Sequence, residues 1–309
     1  MLRTQLKEHG ARERLSVLLA TLVVVLAFGC GRAETGGAGK TKVFVGILPQ
    51  KYFVDRIGDG FVETEVLLPP GRTEHTYEPT PQQMSALGTA KLYFEMGLPF
   101  ETRILEKASA MYPNLKVVDT RKGITLMPMT EPDADEPEEE AAAEGGLDPH
   151  IWLDPKLVKI QSGTIAAALK ETDPAHAADY EKNLAALDAD LDAVDAKIRN
   201  ALAPLKNREF LVFHPAFGYF ARAYDLRQVP IEILGKEPSA KQLTEIIDRA
   251  RKDNIRVVFV QPQYSQRSAE AIAEAIHGAV IPLDALAYDY IGNLEDIAKK
   301  IDKALKEQS

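Results

Sequence analysis

A chain of 309 residues with 45% hydrophobic content carries enough apolar material for one large or two ordinary folded lobes. Its net charge of -9 excludes the basic footprint that nucleic acid requires of a partner. Its single cysteine, Cys30, excludes an intrachain disulfide scaffold.

The chain opens with "RERLSVLLATLVVVLAFGCGRAE", where Arg12 and Arg14 precede an uncharged, mostly apolar run ending at Gly29-Cys30. The run is short for a membrane-spanning helix and matches a secretory signal peptide over residues 1–29. A lone cysteine directly after such a run predicts a lipidation site, Cys30, which would anchor the mature chain to a membrane, in the periplasm or at the cell surface. The match before it is loose, because Ala27 and Phe28 replace the usual residues. The Gly-rich stretch "GRAETGGAGK" then reads as a flexible tether over 30–41. Removing residues 1–29 takes away Arg3, Lys7, Arg12 and Arg14 against Glu8 and Glu13, so the mature chain is more acidic than the whole.

From Lys42 strands and helices alternate. "KVFVGILP" predicts a buried strand, "DRIGDGF" has helical character and closes on Gly60, and "TEVLLPPG" predicts a second strand ending in turn residues. "TPQQMSALGTAK" begins a helix with a capping box, Thr80 at the cap and Gln83 three residues on. The strand "KLYFEMG", the helix "FETRILEKASAM" and the strand "KVVDT" follow. The run 131–144, "EPDADEPEEEAAAE", holds eight acids and no base, and predicts a mobile acidic loop over 131–146 within a first lobe of 42–173. It reads as a solvated spacer or as a weak collector of cations. "LDPHIWLDPK" sets His150 on the loop feeding a helix that Asp154 caps and Pro155 starts.

Residues 174–203 carry apolar positions Ala177, Tyr180, Leu184, Leu187, Leu191, Val194 and Ile198 at three- and four-residue steps. They predict one amphipathic helix of roughly 45 Å, a connector between lobes. A second lobe, 204–309, repeats the plan: "EFLVFHP", "QVPIEI", "RVVFVQPQ" and "AVIPLD" as strands, with a Ser239/Gln242 capping box among the helices. Alternation of this kind implies α/β lobes, each a mostly parallel sheet flanked by helices.

Open α/β sheets bind ligands at the carboxyl ends of their strands. Three of the six histidines fall there: His75 after "TEVLLPPG", His150 before the Asp154 cap and His214 after "EFLVF". Asp284 ends "AVIPLD" in the same way. Taken singly, His75 reads as a solvated loop residue, His150 as a local hydrogen-bond partner, His214 as a core histidine and Asp284 as a helix-cap acid. Together, three imidazoles and a carboxylate make a closed tetrahedral set for a borderline metal such as zinc.

At these residues the chain resembles a known family. "LPPGRTEHTYEPTP", "LDPHIWLDP", "FLVFHPAFGYFARAY", "GKEPSAKQL" and "IPLDALA" look like the successive signatures of the metal-receptor proteins of ABC-type zinc and manganese importers, over essentially the whole mature chain. The resemblance implies two α/β lobes joined by one long rigid helix, with the metal in the interlobe cleft. It implies His75, His150 and His214 as three zinc ligands and Asp284 as the fourth, ahead of Glu74, which matches a competing position in some relatives. Manganese receptors carry Glu where this chain has His214, and imidazole there favours zinc over manganese. The histidine-rich loop of many zinc receptors is here acidic and free of histidine.

The expected function is an extracytoplasmic zinc receptor, a monomer and not an enzyme, that delivers Zn2+ to an ABC permease. The alternatives are a manganese or iron receptor of the same family, and an adhesin-like surface lipoprotein with a structural metal. A third is a secreted zinc hydrolase with Glu74 or Glu237 as base. The hydrolase reading lacks any His-Glu-x-x-His helix or Gly-x-Ser-x-Gly elbow.

Overall fold

The computed structural model describes residues 39–129, 146–232 and 238–307. The signal peptide, Cys30, nearly all of the tether, the acidic run 131–144, Glu237 and the start of "GKEPSAKQL" lie outside these described residues. Everything from Lys40 onward belongs to one compact unit.

Two parallel four-stranded sheets organise the chain. In the first, β1 (Thr41–Val45), β2 (Val62–Val66), β3 (Leu92–Glu95) and β4 (Lys116–Asp119) lie in the order β2-β1-β3-β4. Val43 pairs with Thr64 on one side and Leu92 on the other. In the second, β5 (Glu209–Val212), β6 (Arg227–Pro230), β7 (Val257–Val260) and β8 (Ala279–Pro282) repeat that order as β6-β5-β7-β8. Central strands such as "VVFV" of β7 are buried along their whole length, as expected of parallel strands covered on both faces.

The helices are α1 (Leu48–Gly58), α2 (Pro81–Leu87), α3 (Pro99–Met111), α4 (Pro155–Thr172), α5 (Ala177–Leu202), α6 (Gly218–Ala223), α7 (Ala240–Lys252), α8 (Gln266–Ala275) and α9 (Tyr290–Glu307). The predicted caps form as read: Thr80 with Gln83 and Ser239 with Gln242 make reciprocal capping boxes, and Asp154 accepts from the Lys156 amide at 2.9 Å. One early element differs from the sequence reading. The apolar run after Lys42 leaves the sheet at Val45 and becomes α1 at Leu48, because Pro49 suits a first helical turn and Phe53, Val54 and Ile57 recur on one buried face.

Helix α5 is the predicted connector. It starts at Ala177, after a 3-10 turn over Pro174–His176 in which His176 Nδ1 meets Asp173 at 2.6 Å. Its 26 residues run about 39 Å. It packs against α1 and α4 on the first-sheet side and α9 on the other, burying Tyr180, Leu187, Leu191, Val194 and Ile198.

A single apolar core runs from Val43 and Phe53 through Trp152 and Tyr180 to Phe217 and Leu305, and so belongs to both lobes. A second cluster fills the other face of the second sheet. Polar bonds stitch the lobes where the cores meet: Trp152 Nε1 donates to the Ala285 carbonyl at 2.7 Å and the Tyr290 hydroxyl to the Trp152 carbonyl at 2.7 Å. A buried indole finds a partner for its N–H in this way without losing its packing area.

Candidate metal centre

His214 sits just past β5, while Glu74 and His75 lie on the loop that follows β2 and His150 lies on the loop that feeds α4. The β2 loop is pinned at both ends by the capping-box residue Gln83. Its Nε2 donates to the Leu67 carbonyl at 2.8 Å, and its Oε1 accepts from the Tyr77 hydroxyl at 2.6 Å. Between those anchors the turn at Pro69-Pro70-Gly71, with Gly71 at φ 77°, brings Glu74 and His75 back toward the cleft. His150 is set by Asp148, whose Oδ1 accepts both the His150 amide at 2.8 Å and Nδ1 at 2.7 Å. His214 follows β5 and is clamped by Gln261 after β7, which accepts from its amide at 3.3 Å and donates to its carbonyl at 2.7 Å.

The donor atoms converge. His150 Nε2 lies 3.3 Å from Glu74 Oε1 and 3.4 Å from His214 Nε2, and His214 Nε2 lies 3.7 Å from Glu74 Oε1. These three form a buried group that can hold a metal ion. His75 Nε2 joins on the open side, 3.3 Å from His214 Nε2 and 3.7 Å from Glu74 Oε1. A tetrahedral zinc ion bonded to nitrogen and oxygen at about 2.0–2.1 Å separates its ligands by about 3.3 Å, and the spacings among Glu74, His150 and His214 are close to that, with His75 approaching two of the three. His75 is 27% exposed, whereas His150, His214 and Glu74 are at most 5% exposed, so His75 is the member that meets solvent.

Second carboxylates fix the ring tautomers. Asp148 holds His150 Nδ1, and Glu232 holds His214 Nδ1 at 2.6 Å. With Nδ1–H donating backward, each Nε2 faces the centre with its lone pair available. The Tyr264 ring stacks on His214 with centroids 4.7 Å apart and planes 13° from parallel, fixing the imidazole plane.

Charge follows from this arrangement. Burial works against the charged form of His150, but the Asp148 charge and hydrogen bond, then Glu74, outweigh it and push the imidazole up to about 9. Burial likewise opposes ionisation of Glu74, yet the hydrogen bond from His150 and the charges of all three histidines pull its carboxyl down to about 2. His75 lies below the usual histidine value, through burial first, with His214 and His150 adding to it against Glu74. A metal ion that binds His150 Nε2 therefore competes with a proton for that ring.

Of the residues singled out in the sequence, His75, His150, His214 and Glu74 come together. Asp284 does not join their donor atoms. Its Oδ1 accepts from the Leu286 amide at 2.8 Å and from Gln263 Nε2 at 3.4 Å, and it lines a cleft of about 370 Å³ opposite Pro69, Pro70 and Gly71. Sequence reasoning missed Glu232, Gln261 and Tyr264. Glu232 and Gln261 occupy the same post-strand position as His214, after β6 and β7, and that topological signal was present in "QVPIEI" and "RVVFVQPQ".

Residues 43–304 match the zinc-uptake complex component A family, periplasmic. The chain is 29% identical over 286 residues to the high-affinity zinc uptake system protein ZnuA of Bacillus subtilis (strain 168), covering 88% of each. It is 27% identical to the protein of the same name from Brucella abortus (strain 2308), covering 94% of this chain and 98% of that one. A crystal structure of ZnuA superimposes with a TM-score of 0.80 at 43% identity, over 87% of this chain and all of the other. A laminin-binding protein of Streptococcus agalactiae, at 24% identity and TM-score 0.74, shares the fold alone. The strand-end histidines, the two like sheets and these matches agree, and the chain belongs to the zinc-uptake complex component A family, the zinc-type solute-binding receptors of metal ABC importers.

Proposed function

We propose that this protein captures Zn2+ outside the cytoplasm, between its two lobes, and delivers it to an ABC permease. The observation that carries this reading is the buried group of two imidazole Nε2 atoms and one carboxylate oxygen, from His150, His214 and Glu74, at ligand spacing, with His75 Nε2 beside His214 and Glu74 on the open side. We assign His75, His150 and His214 as ligands and Glu74 as the fourth, with Asp284 at the cleft mouth. The sequence favoured Asp284; what favours Glu74 is that its oxygen stands at ligand spacing, while the Asp284 carboxylate serves its own turn.

The chain acts as a receptor and not as an enzyme. On this assignment four protein donors fill the coordination shell and leave no position for an activated water, and Glu74, the base a hydrolase would need, serves as a donor. Imidazole at position 214 favours zinc over manganese, which prefers oxygen donors. For the regions outside the described residues we retain the export leader 1–29, the lipid on Cys30 and the tether 30–41. The working division is a first lobe 42–173, a connecting helix 174–203 and a second lobe 204–309, in a monomer. No helix among the described residues is long and apolar enough to cross a membrane.

The test is titration of the metal-stripped mature protein with zinc and manganese, beside Glu74→Ala and Asp284→Ala. Expected are tight one-to-one zinc binding, far weaker manganese binding, and a large loss in Glu74→Ala only. Absent zinc binding would reject the receptor reading. A larger loss in Asp284→Ala would return the fourth position to that residue.

A further inference from the structure

Beside the metal donors stands a buried donor group with no bond of its own. Tyr264 is a half-buried residue, but its hydroxyl oxygen is sealed from solvent and meets no hydrogen-bond partner among the described residues. Leaving a buried hydroxyl unpaired is destabilising, and phenylalanine would fill the same space without that penalty.

The backbone fixes where this hydroxyl stands. The Tyr264 amide donates to the Gln261 carbonyl at 3.0 Å, closing a turn just after β7, and Gln261 is the residue that clamps the His214 backbone. The ring lies nearly parallel to the His214 imidazole, 4.7 Å between centroids, and tilted against Phe213 at 6.0 Å. Burial first, then the charges of Glu74 and Glu232, push the phenol well above its usual value, so it keeps its proton and serves as a donor.

Glu74 has an acceptor to offer. Its contact with His150 and the closest approaches of His75 and His214 all fall on Oε1, the oxygen assigned to the metal, so Oε2 keeps its capacity to accept. Glu232, by contrast, already accepts from His214 Nδ1 at 2.6 Å. Carboxylates that bind metals are themselves held by hydrogen bonds from outer groups. With its second oxygen engaged in this way, a carboxylate binds through one oxygen only. That mode suits four-coordinate zinc, whereas manganese takes larger, oxygen-rich shells that a two-oxygen carboxylate helps to fill.

We propose that the Tyr264 hydroxyl donates to Glu74 Oε2 in the loaded centre, and so holds Glu74 as a one-oxygen ligand that selects zinc over manganese. Tyr264 is in this sense a positioning residue, and the inference rests on Glu74 being the fourth ligand.

The experiment is competition titration of the metal-stripped mature protein with zinc and with manganese, in the native chain, Tyr264→Phe, Glu74→Ala and the double variant. Phenylalanine keeps the ring on His214 and removes only the hydroxyl. Expected in Tyr264→Phe is a loss of about tenfold or more in zinc affinity, with manganese affinity unchanged or higher. The melting temperature of the metal-free protein should not fall, because the hydroxyl removed had no partner there. In the Glu74→Ala background the same substitution should change zinc affinity by less than about twofold. Unchanged zinc affinity in Tyr264→Phe, or a parallel fall for both metals, would overturn the proposal. An equal loss with and without Glu74 would also overturn it and assign the hydroxyl to Glu232. Failure of the fourth-ligand reading has its own signature: Glu74→Ala would bind zinc as tightly as the native chain, and the proposal would fall with it.

Discussion

His150 and His214 come from different lobes, yet their Nε2 atoms lie 3.4 Å apart, and each ring is held from behind by its own buried carboxylate, Asp148 at 2.7 Å and Glu232 at 2.6 Å. The pairing makes the centre a preorganised site. Short, charge-assisted bonds fix both rings before an ion arrives, so little ordering remains to be done on capture.

Zinc affinity should rise with pH well past the ordinary histidine range. His150 titrates near 9, so below that value zinc must displace its proton, at a cost of about tenfold in affinity per pH unit. His75, shifted downward, adds a second proton only in more acidic solution. Glu74, near 2, contributes nothing above about pH 4. Competition titration from pH 6 to 10 should give a slope near one between about 7 and 9, then a plateau. A flat profile over that window would contradict the assignment.

Asp148→Asn should separate charge from shape. The amide keeps the volume but removes the negative charge that holds the His150 proton. The His150 value should fall back toward the ordinary range, and the plateau of zinc affinity should begin at lower pH. Affinity on that plateau should drop by roughly 10–100-fold, the usual consequence of losing an orienting carboxylate. Isothermal titration in two buffers of different ionisation enthalpy would read the proton release directly.

His214→Glu should shift the metal ranking toward manganese by substituting oxygen for nitrogen. In the native background the new carboxylate would meet Glu232, the residue now bonded to His214 Nδ1. Adding Glu232→Gln should therefore strengthen manganese binding beyond that of the single variant. Equal manganese binding in the two variants would show that Glu232 does not act on this position.

Gly218→Ala tests how tightly the support of His150 is packed. A Cβ there would stand 2.8 Å from Asp148 Oδ2 and 3.2 Å from Gln228 Nε2. Displacing Asp148 should lower zinc affinity several-fold while thermal stability changes little. A loss of stability with unchanged affinity would place the strain elsewhere.

Away from the metal, Glu101 should govern the pH dependence of stability. It is fully buried, accepts from the Met96 and Leu98 amides and the Tyr93 hydroxyl, and burial pushes its carboxyl up to about 7. Because the folded value exceeds the unfolded one, the native state binds more protons between them, and stability falls as pH rises from about 4.5 to 7, by on the order of 3 kcal/mol. Glu101→Gln can keep all three bonds, its amide donating to Tyr93. Thermal denaturation at pH 5 and pH 8 should show a smaller difference for the variant than for the native chain.

The sequence by itself determined the alternating strands and helices, the caps at Thr80, Asp154 and Ser239, and the long helix through Tyr180 and Ile198. Each is a local matter of periodicity and backbone donors that need partners. It also located the three histidines, because strand-end loops can be read from order along the chain. The onset of α1 at Leu48 was less legible, since a short apolar run is the same text for a buried strand and a buried helix. Only the tertiary structure sets the Glu74 oxygen, rather than the Asp284 carboxylate, beside the histidine nitrogens, and only it brings Glu232, Gln261 and Tyr264 to the His214 ring and backbone, whereas Asp148 lies two residues from His150 and was legible in the sequence. Those choices depend on which side-chain atoms meet across the cleft after two sheets and a shared core have fixed the loops, and no spacing along the chain encodes that distance.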